Sequence, residues 1–155
     1  MITYKLFRIR NGKLYPLFVD RSREMQMGVW HEARVGELVD ETHVKSSLGA
    51  LALRPGFHST EVPFTDWIGK KGPDGHMVQR ADTVWCECEV DGDEVSAPKG
   101  GMRTIPLGFY YFQTKAKQPF PWIISKRIRI NRMLTHDDVK AICRQHGIEA
   151  QEVEG

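Results

Sequence analysis

Cysteine is scarce in this 155-residue chain, with three residues in all. So few, and an odd number, cannot build the disulfide framework of a small secreted domain, and they point to a reducing compartment. Long apolar runs are also missing. None approaches the roughly 18 residues that a bilayer span requires, and Met1-Ile2-Thr3-Tyr4-Lys5 holds no signal-peptide core. The expectation is a cytoplasmic protein with no membrane partner. Two motifs are absent as well. No Gly-x-x-x-x-Gly-Lys-Ser/Thr occurs, which excludes a phosphate loop, and His31-Glu32 lacks the second histidine of a zinc protease helix.

What is present is ordinary for a soluble globule: 41% hydrophobic and 27% charged residues, enough for one core. There is no internal repeat, low-complexity tract or linker. A single domain is expected over residues 1–147, with 148–155 as a flexible C-terminal tail. Net charge is only +2, but its distribution is segregated. From Ala81 to Pro98 every charge is acidic. From Lys99 to Arg132 every charge is basic, and Lys115, Lys117, Lys126, Arg127 and Arg129 lie among Tyr110, Phe112, Phe120 and Trp122. Cations interleaved with aromatics suit nucleic acid, through phosphate pairing and base stacking. The alternative is that the basic segment lies beside the acidic one in a sheet, each neutralising the other.

Local patterns predict a mostly β chain. Tyr4 to Arg10 and Lys13 to Val19 flank Asn11-Gly12, the dipeptide of a type I′ hairpin, and Pro16 puts the second strand at an edge. Met25, Met27 and Val29 alternate as a short strand, and Arg34 to Ser47 reads as a loop. Glu61 to Gly69 reads as a short helix. Thr83 to Val90 sets Val84, Cys86, Cys88 and Val90 on one face, with Trp85, Glu87 and Glu89 on the other. Phe109 to Thr114 and Trp122 to Ile130 are further strands. Thr135 and Asp138 form a capping box before the stripe Val139, Ile142, Cys143, and Gly147 suits the helix end. The fold class is α+β, mostly β: twisted mixed sheets, one short internal helix and a C-terminal amphipathic helix.

The chemistry-bearing residues are few. Cys86 and Cys88 resemble half a metal site, to which His58 or His76 would add ligands, but they share an apolar face and read as core, so no metal is expected. Glu87 and Glu89, about 6.6–6.8 Å apart along a strand, suit acid–base chemistry or simply an exposed face. Arg54-Pro55-Gly56-Phe57-His58-Ser59-Thr60 brings an arginine, an imidazole and two hydroxyls together after a Pro-Gly turn. Arg54 suits a phosphate and His58 a ribose, while Ser59-Thr60 also suits a helix cap.

In order, these segments resemble an ADP-ribosyltransferase-fold domain of the poly(ADP-ribose) polymerase branch. The likeness lies in Leu6-Phe7-Arg8-Ile9-Arg10, Gly56-Phe57-His58-Ser59-Thr60, Thr83 to Gly92 and Pro121-Trp122-Ile123-Ile124-Ser125-Lys126. The chain also resembles small phage and bacterial proteins. The transferase resemblance implies NAD as cofactor, with Arg8 or Arg10 on its phosphate or ribose. It implies that Gly56, His58 and Ser59 frame the nicotinamide, and that Phe57, Tyr110 or Trp122 stacks on the ring. The catalytic glutamate of that family is replaced here by Phe120-Pro121-Trp122, so Glu87 or Glu61 would have to serve, or the fold binds without catalysing. The other expectations are a nucleic-acid or nucleotide binder without enzymatic activity, and a phage-type accessory protein that inhibits a host protein.

Overall fold

The computed structural model describes residues 1–40, 43–52, 55–98, 105–113 and 119–155. The strands are β1 (Ile2–Arg10), β2 (Lys13–Tyr15), β3 (Trp30–Glu32), β4 (His43–Ser46), β5 (Gly49–Ala52) and β6 (Phe57–Ser59). They continue with β7 (Lys70–Lys71), β8 (Met77–Val78), β9 (Thr83–Val90), β10 (Phe109–Phe112), β11 (Trp122–Ser125) and β12 (Arg127–Met133). Among the described residues one helix, α1 (His136–Gln145), follows.

The ladders are antiparallel, rather than the mixed sheets expected. One sheet runs β2-β1-β9-β12-β3 and another β10-β11-β6, with β4-β5 and β7-β8 as separate hairpins. The first turn follows from Asn11-Gly12, whose φ angles of 52° and 75° are those a type I′ turn requires. β2 stops at Tyr15, short of the expected Val19, because Pro16 has no N–H for the ladder.

The edge of β1 is shared. Its C-terminal half pairs with β2, while Tyr4 exchanges both backbone hydrogen bonds with Thr60, just beyond β6. The two sheets therefore join at β1, and the surface curls around one core. Phe7, Cys86, Cys88 and Ile130 on one side of that core meet Phe57, Phe109 and Ile123 on the other. The outer face of the first sheet carries Leu6 and Trp85, covered by Val62 and by Val139 and Cys143 of α1. The outer face of the second carries Tyr110, Trp122 and Ile124.

Several local expectations are corrected. Glu61 to Gly69 is not a helix. Pro63 lacks a donor, and hydroxyls take the backbone groups instead: Thr60 Oγ1 donates to Val62 O, and Thr65 Oγ1 accepts from Trp67 N. The segment read as a loop up to Ser47 contains β4. The strand expected near Met25–Val29 lies at Trp30–Glu32. Trp122 to Ile130 is two strands in two sheets, divided at Lys126, whose N–H reaches Gly108 O while its carbonyl accepts from Ala33 N. The segment after Gly147, expected as a tail, is tied down: Gln79 N donates to Glu152 O and Glu154 N donates to Gln79 O. Among the described residues no helix is long and apolar enough to cross a membrane.

Candidate functional site

The four segments that carry the transferase resemblance become consecutive neighbours. β11 pairs with β6, the residue after β6 pairs with β1, and β1 pairs with β9. Strand alternation then decides which side chains share a face. Phe57 and Ser59 point into the central core, and Ser59 is 0% exposed with its Oγ 3.5 Å from Ile123 O. His58 points the other way, edge-on to Trp122 at 6.1 Å between centroids. The convergence expected of His58 and Ser59 is therefore not formed. Successive residues of one strand face opposite sides, and no helix follows for Ser59-Thr60 to cap.

The remaining candidates divide similarly. Arg8 lies on the outer face of β1, stacked over Tyr15 at 5.0 Å, with Nη2 donating to Arg21 O at 2.8 Å. Its Nε is buried without a partner, and Arg10 is exposed at the strand end. Gly56 (φ +134°) serves packing: a Cβ there would meet Ile124 Cγ2 at 2.5 Å. Phe57, Tyr110 and Trp122, the candidate stacking rings, are all buried in core clusters. Glu87 lies on the outer face of β9, 3.3 Å from Arg132. Arg54, Lys115 and Lys117 lie outside the described residues.

The basic and acidic segments lie side by side, as β12 and β9. Arg129 meets Glu89 at 2.8 Å and Arg127 meets Glu32 at 3.0 Å and Asp91 at 3.9 Å, while Lys126 is 3.9 Å from Glu32. Trp30 is flanked by the Arg127 and Arg129 guanidiniums at 4.7 and 5.1 Å. Cations committed to carboxylates and an indole of the same sheet offer little net field to a phosphate backbone.

Two arrangements escaped the sequence reading. Lys5 lies on the inner face, between Thr3 and Phe7, and its Nζ donates to His58 O at 2.8 Å. Burial brings its pKa down to about 8, against a smaller opposing pull from Cys88. The only available signal was that Lys5 is in phase with Phe7. Burial also pushes the Cys86 thiol up to about 12 and raises Cys88, so neither is a ready nucleophile. The second arrangement lies along α1, where His136, Lys140 and Arg144 recur every four residues beside the returning segment 148–153. That spacing was legible as one helix face.

Among the described residues no three His, Cys, Asp or Glu side chains are grouped to hold a metal ion. Comparison with protein-family profiles, with curated proteins and with solved structures found no match to this chain.

Proposed function

We propose that this chain is an NAD-type nucleotide-binding domain with an ADP-ribosyltransferase-like strand arrangement, which binds its ligand without turning it over. One observation carries the reading: the strand order β11-β6-β1-β9, which makes neighbours of the four segments that resemble that family. Arg8, on the outer face of β1, and the exposed Arg10 at the end of that strand are the phosphate-binding groups in this reading. Three features favour binding without catalysis. No carboxylate stands at Pro121 or Trp122, Glu87 is occupied by Arg132, and Ser59 is buried.

The test is an NAD titration followed by melting temperature and calorimetry, with free nicotinamide measured in parallel. The expected result is an NAD-dependent rise in melting temperature, weakened in a folded Arg8→Gln protein, with nicotinamide release no faster than without protein. No NAD-dependent shift overturns the reading. Release that disappears in His58→Ala overturns its non-catalytic half and makes the protein an enzyme.

A further inference from the structure

The ladder between β1 and β6 is a single step. Tyr4 and Thr60 exchange backbone hydrogen bonds as an isolated bridge, and from Arg8 onward the same edge of β1 is taken by β2. In an antiparallel pair the carbonyls of alternate residues point at the same neighbour, so His58 O faces β1 as Thr60 O does. No backbone N–H of β1 reaches it. The Lys5 side chain does, with Nζ donating to His58 O at 2.8 Å. An amine therefore occupies the fork where the two sheets part.

The layer around that fork is closed except at the lysine. Thr3, Phe7, Ser59, Cys86, Cys88 and Ile123 are all 0% exposed, whereas Lys5 keeps part of its surface accessible. Its backbone is paired with Cys86 within the sheet, so the accessible part is chiefly side chain. Among the described residues no carboxylate lies within ion-pair distance of Nζ, and the nearest ring, that of Phe7, has its centroid 5.7 Å away. Burial brings the amine down to about 8 and keeps the neighbouring Cys86 and Cys88 thiols protonated. At about pH 7.5 roughly one such amine in four is neutral, against roughly one in a thousand for an ordinary lysine.

A covalent product at this amine has two conditions to meet. It must be uncharged, since no counter-ion faces it, and it must keep one N–H, or the hydrogen bond to His58 O is lost. A carbamate fails the first condition and a neutral imine fails the second. An amide meets both. We propose that Lys5 is an acylation site, whose Nζ takes a short acyl group from a small acyl phosphate. The lone pair of the neutral amine attacks the acyl carbon, and the new C–N bond replaces the C–O bond to phosphate. One amine proton leaves with the phosphate, and the N–H that stays on the amide donates to His58 O. The inference is independent of the NAD reading, since it uses neither Arg8 nor Arg10.

The experiment treats the folded full chain with acetyl phosphate at about pH 7.5 and follows each lysine by peptide mass spectrometry, beside a sample unfolded in urea. In the folded protein Lys5 is expected to be acetylated faster than the exposed Lys13, Lys45 and Lys140, by roughly tenfold or more. In urea that advantage is expected to vanish, because the fold creates it. Protein acetylated at Lys5 alone is expected to melt at a higher temperature than unmodified protein, since a buried charge is gone and the bond to His58 O is kept. Three results would overturn the proposal: acetylation of Lys5 no faster than that of the exposed lysines, faster acetylation of Lys5 in urea than in the folded chain, or a lower melting temperature for the Lys5-acetylated protein.

Discussion

On the outer face of β9, Glu87 and Glu89 each meet an arginine of β12, at 3.3 and 2.8 Å. On the inner face, opposite Cys86 in the same register, Lys5 meets no carboxylate among the described residues; its ammonium donates to one backbone carbonyl and lies 5.7 Å from the centroid of the Phe7 ring. The two faces show that the number of ion pairs is a poor measure of electrostatic consequence. Each outer pair is partly solvated and contributes about 0.2–1 kcal/mol, diminished by salt. The inner ammonium has lost most of its water and gained one hydrogen bond, so the fold tolerates it at a cost. The largest contribution of the inner face is apolar burial around that lysine, and what depends on charge there is the contact of the ammonium with the Phe7 ring.

Substitutions on the two faces should separate these terms. The largest effect is expected for Phe7→Ala, which empties a fully buried ring site beside Lys5. A loss of about 3–5 kcal/mol in urea unfolding is expected, and a loss below 1 kcal/mol would mean that the curled sheet can close over the gap. Next comes Lys5→Met, which keeps the apolar stem and removes the amine. It should stabilise the protein by about 1–3 kcal/mol at pH 7. The pH dependence gives a sharper reading. With the folded-state pKa near 8 and the unfolded value near its ordinary 10.5, the unfolded chain holds more protons between those values. Wild-type stability should therefore rise with pH across that window, and the penalty is fully present below it. The methionine variant should lose this contribution to the slope. An unchanged slope would mean that Lys5 is solvated.

The same two faces show what was legible beforehand. The alternation in Thr83 to Val90 gave β9 with its faces correctly divided, because a half-buried strand writes its burial into a period of two. Asn11-Gly12 was equally direct, since few residues accept those φ angles. The break at Lys126 was not legible. Ile124, Ile128 and Ile130 keep one alternation across it, and only the distant partners Gly108 and Ala33 divide the segment between two sheets. The candidate site failed for a related reason. Proximity in sequence placed His58 beside Ser59, while an extended backbone sends them to opposite sides. The contact that joins β1 to β6, Tyr4 with Thr60, spans 56 residues and has no local signature. Of the two readings of the charge blocks, mutual neutralisation across adjacent strands describes β9 and β12, including the pairing of Glu89 with Arg129.

That pairing yields the smallest predicted effect and the most specific one. Glu89 and Arg129 stand directly opposite in register, each side chain 35% exposed, and Arg129 also stacks on Trp30 at 5.1 Å. A double-mutant cycle with Glu89→Gln and Arg129→Met should return a coupling of about 0.2–1 kcal/mol at low salt, shrinking as ionic strength rises. Arg129→Met alone should cost more than Glu89→Gln alone, because it also removes the contact with the indole. If the coupling instead exceeded 2 kcal/mol and ignored salt, the outer ladder would be electrostatically buried and the contrast between the faces of β9 would collapse. If the two single costs were equal, Trp30 would be a bystander to the ladder, and its position between two guanidiniums would carry no energy.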